Sequence, residues 1–202
     1  MHAQRPAHAC PVMTVSSSSP GAAPLIRHPL PLLGAVTARV LILGSMPGAA
    51  SLAACAYYAH PRNHFWSIMA ALTGVPPGAP YAERTAALCA VGVAVWDVVA
   101  ACRRRGSLDA AIEDGSVRHQ DVAGAVRAMP HLRLIAFNGR EAERQFQRAG
   151  HTDAPEWPTN LAFAVLPSTS PAMASLSPAQ KQHCWLDQLR PFLDAHEKLT
   201  GP

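Results

Sequence analysis

Four short apolar runs are spaced along the chain, and each is typical of a buried β-strand. Val, Ile, Leu, Ala and Phe dominate the runs, while polar, Gly-rich or Pro-rich segments border them. Continuous apolar runs of about four to eight residues are typical of strands covered on both faces of a sheet. The predicted strands comprise residues 40–43, 91–96, 132–137 and 161–166.

Segments with helical spacing of their apolar residues lie between and after these strands. The first ends at Gly74, which Pro76 and Pro77 follow. The last begins at Ser177 and Pro178, an N-cap and a first-turn proline, with Gln180 at the capping-box position. The predicted helices comprise residues 65–72, 82–90, 108–112, 122–129 and 139–149, and a final helix that Pro191 is expected to kink.

The alternation of strands and helices predicts an α/β fold, because parallel strands need crossover connections and helices supply them. We expect a three-layer α/β/α sandwich around a four-stranded, mostly parallel sheet. Residues 1–26 are rich in Ala, Pro, Ser and His and cannot bury enough apolar surface to offset their ordering entropy. They are therefore predicted to be a disordered leader, and residues 27–202 a single domain.

The composition allows a folded core and a polyanionic partner. Hydrophobic residues make up 49% of the 202 residues, and the net charge of +4 is mildly basic. The five cysteines are widely spaced without a CxxC pair, which argues against a disulfide framework or a zinc ribbon and favours reduced thiols. The sequence has neither an apolar run of membrane-spanning length nor the apolar stretch of a secretory signal. We therefore expect a cytoplasmic protein.

Two loops rich in Gly, Pro and Ser follow predicted strands, and a third motif lies between them. GSMPG occupies residues 44–48, directly after the first strand, and LPSTSPA occupies residues 166–172, at the end of the fourth. The third motif, YYAHPRNHFW, occupies residues 57–66. Ligands of open α/β sheets bind beyond the carboxyl ends of the strands. The motifs therefore predict a binding site at that edge.

In this order, the three motifs resemble those of the uracil-DNA glycosylase superfamily. HPRN-x-FW and LPSTSPA most resemble its hypoxanthine-DNA glycosylase (deoxyinosine glycosylase) branch, and the resemblance covers about residues 38–195. It implies the three-layer fold and a DNA repair enzyme that takes a deaminated base out of the helix, hydrolyses its N-glycosidic bond and leaves an abasic site. DNA containing deaminated bases, above all hypoxanthine, is then the expected partner of a monomeric enzyme.

Asn63 is the candidate catalytic residue, because the first motif lacks the usual polar side chain. Many members of the superfamily place Asp, Asn or Glu directly before the proline of this motif to position the attacking water, and here Met46 stands in that place. The resemblance implies that Asn63, the Asn of HPRN, takes over this role. An amide accepts from water and donates to a base, but it is no general base. The alternative is that Asn63 caps the helix that starts near Phe65.

The predicted base pocket combines the first loop with polar and aromatic residues from the other strand ends. Phe65 either stacks on the flipped base or packs in the core. Asp97 either accepts a hydrogen bond from the base or orients a loop, and Asn138 either borders the pocket or caps the next helix. The set comprises Gly44, Ser45, Met46, Pro47, Tyr58, Phe65, Asp97 and Asn138.

A further group of residues is predicted to contact DNA. His60 and Arg62 are expected to touch phosphate, unless they are solvated loop residues. Ser168 and Ser170 suit a grip on the phosphates beside a flipped nucleotide, although the same loop also serves as a strand-ending turn. Met173, with Leu176 as the alternative, is a candidate to fill the hole left in the duplex. The set comprises His60, Arg62, Ser168, Thr169, Ser170 and Met173.

No cofactor and no metal are expected. Histidines and acids do not fall at ligand spacing such as HExxH, and no lysine within the motifs supports a Schiff-base lyase step. The arginines at residues 103–105 indicate a solvated basic turn, with a contact to the DNA backbone as the alternative. Two other functions stay open: a uracil or broad-range glycosylase, and a non-catalytic DNA-binding module of the same fold.

Overall fold

The computed structural model describes residues 23–150 and 157–193. In chain order, the strands are β1 (Leu25–Arg27), β2 (Val40–Gly44), β3 (Val93–Asp97), β4 (Val99–Arg103), β5 (Arg118–His119), β6 (Leu134–Asn138) and β7 (Ala162–Leu166). The helices are α1 (Ala49–Ala54), α2 (Phe65–Thr73), α3 (Tyr81–Ala90), α4 (Val122–Arg127), α5 (Arg140–Arg148) and α6 (Pro178–Leu193). Two short 3-10 turns, Asp109–Ala111 and Asp114–Ser116, lie between β4 and β5.

The main sheet has four parallel strands, as the sequence predicts. Its order is β3-β2-β6-β7, and every neighbouring pair is parallel. Along β2, Val40 and Ile42 pack into one core cluster, whereas Leu41 and Leu43 pack into another. The first cluster draws on α2, α3 and α6 and the second on α4 and α5. Both faces are therefore covered, and the three-layer α/β/α sandwich is confirmed.

The last helix begins with the capping box that the sequence predicts. The amide of Ser177 donates to Gln180 Oε1 at 2.9 Å, and the amide of Gln180 donates to Ser177 Oγ at 3.2 Å. These reciprocal bonds satisfy two of the amide groups that a helix start leaves without partners.

A second, antiparallel sheet in the order β1-β4-β5 was not predicted. It corrects the boundary of the expected leader. Most of residues 1–26 lies outside the described residues, but Ala23 is buried and Leu25 pairs with Arg103 of β4. No sequence pattern indicates β1, because this strand has only three residues and lies in a proline-rich segment. The helix expected at residues 108–112 is also wrong, since a 3-10 turn forms there instead.

The described cysteines and helices bear on two further expectations. Cys89, Cys102 and Cys184 are free thiols, as expected, whereas Cys55 is disulfide-bonded, which the wide spacing of the cysteines did not indicate.

Within residues 23–150 and 157–193, no helix is both long and apolar enough to cross a membrane.

Strand β2 is the point at which the order of the main sheet reverses. After β2 the chain adds β3 on one side of it and β6 on the other. Such a reversal leaves a crevice outside the carboxyl ends of the strands, where ligands bind. Gly44 at the end of β2 lies opposite Asp97 of β3, and Asn138 of β6 lies opposite Leu166 of β7. The strand ends thus bring the predicted site residues to one edge.

Candidate active site

A cavity of about 400 Å³ opens at the carboxyl edge of the main sheet. This volume falls in the usual range of small-molecule sites, about 300–1,000 Å³. Phe65 and Met173 are the predicted site residues that do not line it. The others do line it: Gly44, Ser45, Met46, Pro47, Tyr58, His60, Arg62, Asn63, Asp97, Asn138, Ser168, Thr169 and Ser170.

The Asp97 carboxylate is fixed from two sides at the cavity wall. Its Oδ2 lies 3.0 Å from Nε2 of His28, whose side chain is fully buried. Because a carboxylate only accepts, the Nε2–H of His28 donates to it. A Cβ at residue 44 would overlap Asp97 Oδ1, so Gly44 is required there. Asp97 is therefore a rigidly held hydrogen-bond acceptor in the cavity wall.

Tyr58, rather than Phe65, presents an aromatic ring to the cavity. Phe65 is fully buried, and its ring stacks on that of Tyr58 with centroids 3.9 Å apart. The predicted stacking of Phe65 on a base is therefore wrong: Phe65 is a core residue that supports the Tyr58 ring. Tyr58 has a φ of 54°, a left-handed conformation that is uncommon for a bulky residue and that often marks functional sites. Burial, followed by the charge of Asp97, raises the pKa of its hydroxyl.

Asn138 is held by Thr169 of the second loop and does not cap α5. The backbone amide of Thr169 donates to Asn138 Oδ1 at 2.8 Å, and Asn138 Nδ2 donates to Thr169 Oγ1 at 2.9 Å. Thr169 is itself fully buried, so its predicted contact with DNA is wrong. Its role in the structure is to fix the orientation of the Asn138 amide at the cavity wall.

The first loop carries a hydroxyl bonded to a carboxylate next to an apolar side chain. Ser45 Oγ donates to Asp109 Oδ1 at 2.7 Å, and both residues line the cavity. Met46 is buried and packs with Val99 and Cys102, so it offers the cavity no hydrogen-bonding group. Burial raises the pKa of Asp109, and the hydrogen bond from Ser45 offsets part of that rise.

A buried arginine supports the same loop from behind. Arg104 is fully buried, and its Nη2 donates to the carbonyl oxygen of Pro47 at 2.6 Å. The predicted solvated basic turn at residues 103–105 is therefore wrong for Arg104. The guanidinium fixes the first loop and is not available to a DNA phosphate.

Asn63 lines the cavity and also binds the first residue of α2. Its Oδ1 accepts from the backbone amide of Phe65 at 2.9 Å. The N-cap residue of α2 is His64, so Asn63 is not the cap that the alternative expects, although its oxygen does bind an amide of the first turn. No described residue accepts from Nδ2 of Asn63, so this group is a fixed hydrogen-bond donor for a ligand.

The second loop is anchored by α6 and presents serine hydroxyls. Lys181 Nζ donates to the carbonyl oxygens of Ser170 and Met173 at 3.3 and 2.6 Å, and Trp185 Nε1 donates to that of Pro167 at 2.8 Å. Ser168 Oγ accepts from the amide of Ser170, and Ser170 Oγ from that of Ala172. Each hydroxyl therefore retains its own proton for donation to an acceptor such as a phosphate oxygen.

His60 and Arg62 are exposed residues that line the cavity. The Nδ1 atom of His60 accepts from the backbone amide of Arg62 at 3.2 Å, which ties the two residues into one turn. Their position is compatible with the predicted phosphate contacts, which stay a prediction. Met173, the candidate to fill the hole that a flipped base leaves in the duplex, is half-buried beside the second loop and lies outside the cavity.

Three residues that shape the site lie outside the three motifs, although the resemblance implies that the loop of residues 102–109, which holds two of them, borders the pocket. His28 lies in a proline-rich stretch, Arg104 lies in a basic run, and Asp109 lies in a segment predicted to be a helix. No group of three or more His, Cys, Asp or Glu side chains is arranged to hold a metal ion in the described part of the chain. The expectation of a metal-free site stays a prediction.

The fold and the cavity define an α/β protein with a cavity of ligand size at the switch point of a parallel sheet. The chain belongs to the uracil DNA glycosylase superfamily, whose sequence model matches residues 31–193. The family to which the motifs point is thereby confirmed.

The chain is similar to two proteins named hypoxanthine DNA glycosylase. One, from Methanosarcina barkeri, is 34% identical over 104 residues, which make up 51% of this chain and 65% of that protein. The matched region is thus just under two thirds of that relative. The other, from Methanosarcina acetivorans, is 34% identical over 119 residues, or 58% of this chain and 74% of that protein.

A solved structure shares the fold. The solution NMR structure of a candidate uracil DNA glycosylase from Methanosarcina acetivorans superimposes with a TM-score of 0.61 at 30% identity. The superposition covers 79% of this chain and 95% of that one. The α/β architecture described above is therefore that of the superfamily.

Proposed function

We propose that this protein is a monofunctional DNA glycosylase that removes deaminated bases, hypoxanthine above all, and leaves an abasic site. The names of the two archaeal relatives support hypoxanthine as the substrate. The cavity supports excision of a flipped base, because its volume of about 400 Å³ and its polar lining suit a small planar ligand.

The observation that carries the proposal is the fixed acceptor at Asp97. Deamination converts a ring nitrogen that accepts a hydrogen bond into one that donates: N1 of adenine becomes N1–H of hypoxanthine. A carboxylate held by His28 and packed against Gly44 accepts from that N–H, whereas N1 of adenine has no proton to donate. Sites built around a buried hydrogen bond reject analogues that cannot form it, because the polar group is left unsatisfied.

The remaining lining residues suit the chemistry of hydrolysis. Departure of the base places negative charge on it and positive charge on the sugar. Nδ2 of Asn63 is a donor for the departing base or for the attacking water, and Ser168 and Ser170 are donors for the flanking phosphates. No lysine is among the described residues that line the cavity, and the Lys181 ammonium is bound to loop carbonyls. Hydrolysis, not Schiff-base formation, therefore fits the site.

A uracil or broad-range glycosylase is the second candidate, because Asp97 would accept equally well from N3–H of uracil. The two candidates differ in the size of the base and not in the hydrogen bond. A non-catalytic DNA-binding module is the third, since Met46 removes the usual polar side chain of the first motif. Cytoplasmic location and the monomeric state stay predictions.

A panel of otherwise identical oligonucleotides separates these candidates. Each carries one hypoxanthine, uracil, xanthine, ethenoadenine or adenine, in single- and double-stranded form, and excision is measured under single-turnover conditions. We expect the fastest excision of hypoxanthine and none of adenine. Excision of uracil faster than hypoxanthine would support the second candidate, and DNA binding without excision of any base would support the third.

A further inference from the structure

A second carboxylate lies in the cavity wall, on a segment that none of the three sequence motifs includes. Asp109 begins the 3-10 turn that follows β4 and lines the cavity together with Asn63 and Asp97. Unlike Asp97, which is tied to a buried histidine, Asp109 receives its short hydrogen bond from Ser45 of the first loop, at 2.7 Å. This bond uses Oδ1 and leaves Oδ2 with no partner among the described residues.

The position of this carboxylate corresponds to the function missing at Met46. Ser45 precedes Met46 in the chain and holds the Asp109 carboxylate, and all three residues line the cavity, so a carboxylate is bound to the first loop one residue from the apolar methionine. The segment that carries Asp109 is fixed at two further points, one in the first loop and one at the start of α1. Ser107 Oγ accepts from the amide of Ala49 at 2.9 Å, and Arg104 donates to Pro47.

Burial raises the pKa of Asp109, so its carboxylate is a stronger base than an exposed aspartate. The Ser45 hydroxyl and the charge of Arg104 oppose this rise, whereas the charges of Glu141 and Asp97 add to it. Three further titratable groups interact electrostatically with Asp109: Tyr58, Cys102 and Arg144. A carboxyl group perturbed by burial inside a cleft is a typical general base.

We infer that Asp109 is a catalytic residue, the general base that accepts a proton from the attacking water. The inference rests on the proposed function. The water oxygen bonds to C1′ of the deoxyribose while the C1′–N bond breaks, and the electrons of that bond leave with the base. One water proton passes to Oδ2 of Asp109, the hydroxyl stays on C1′ of the abasic site, and the base anion then takes up the proton from Asp109 or from solvent. Asn63 donates to the base and Asp109 takes the proton, so the two residues have separate tasks.

The test is Asp109→Asn, because an asparagine still accepts from Ser45 but cannot take a proton at neutral pH. We expect its single-turnover rate of hypoxanthine excision to fall by about 10²-fold or more, the scale of general-base catalysis. Binding of the same DNA should be unchanged. The wild-type rate should fall as the pH is lowered through the raised pKa of Asp109, and this acid limb should be absent in the variant.

The thermal stability of the variant separates catalysis from a structural role. A raised pKa means that the folded protein binds the Asp109 proton more tightly than the unfolded chain does. Ionisation of Asp109 therefore lowers stability as the pH rises through that pKa. At neutral pH, Asp109→Asn should thus unfold at the same temperature as the wild type or a higher one. If Asp109 serves only to hold the loop, the Asp109→Asn variant should unfold at a lower temperature than the wild type and keep the wild-type rate of excision.

Asp114→Asn is the matched control, since Asp114 is an exposed acid in the neighbouring 3-10 turn and lies outside the cavity. Its rate and its acid limb should equal those of the wild type. An Asp109→Asn rate within about threefold of the wild type, or an acid limb retained in that variant, overturns the assignment. If the variant does not fold, a wild-type rate that is flat from about pH 4 to about pH 8 overturns it. Absence of excision by the wild type itself rejects the proposed function instead.

Discussion

Replacing Asn63 with alanine should lower the single-turnover rate of hypoxanthine excision by about 10²-fold or more, the cost of losing one well-placed donor to developing negative charge. The donor is Nδ2, because Oδ1 is already bonded to the amide of Phe65. DNA affinity should change little, since phosphate contacts supply most of it. The unfolding free energy should fall by about 1 kcal/mol, because the alanine also removes the acceptor of the Phe65 amide at the start of α2.

Asn63→Asp and Asn63→Ser separate catalysis from capping. Both side chains cap helices well, so both variants should keep the stability of the wild type, yet neither has the amide donor, and both should be slow. Ser67→Ala is the control on the same helix, because Ser67 is exposed on α2. If the Asn63→Ser protein excised hypoxanthine at nearly the wild-type rate, Asn63 would be only a cap.

Gly44→Ala should lower the rate of hypoxanthine excision at least as strongly as Asn63→Ala does, although it adds only a single methyl group. The new Cβ would overlap Asp97 Oδ1 and would lie 3.1 Å from the Tyr58 hydroxyl. The carboxylate must then move, which breaks its hydrogen bond with His28 and misplaces the acceptor that we propose reads the base. A displacement of about 1 Å at such a site costs about 10²-fold in rate, and overpacking a buried position costs about 1–3 kcal/mol of stability.

Gly78→Ala provides the comparison for this effect. A Cβ at Gly78 meets no atom within 4 Å, so the same substitution there should leave stability and excision unchanged. Single-turnover kinetics and thermal unfolding of both variants decide the matter. A Gly44→Ala protein with wild-type excision would show that the position of Asp97 does not matter for base recognition.

The elements that the sequence predicted well are those for which a local pattern and the tertiary packing agree. The four parallel strands are apolar along their whole length because both faces of the sheet are buried. The capping box at Ser177 forms from residues three apart, so the sequence alone indicates it. Strands β1, β4 and β5 were missed because their pairing joins short segments that are distant in the chain.

The site was predictable to the extent that motifs follow strand ends. Gly44, Asp97 and Asn138 could be placed at one edge because parallel strands end together. The environment of each side chain was not predictable, because long-range contacts determine it. His28 reaches Asp97 across 69 residues of chain, and Asp109 reaches Ser45 across 64. The same limit explains the errors at Phe65 and Thr169, whose burial depends on partners outside their own motifs.

The central claim, that this cavity hydrolyses the bond between a deaminated base and deoxyribose, is tested most directly by identifying the products. The purified protein is incubated, in buffer containing EDTA, with a DNA duplex that carries one hypoxanthine. The masses of the released base and of the remaining strand are then measured by mass spectrometry. The predicted result is free hypoxanthine together with an unbroken strand that carries an abasic site, formed at the same rate with and without EDTA. An intact substrate, a strand cleaved without added alkali, or activity that requires a restored metal ion would contradict the account.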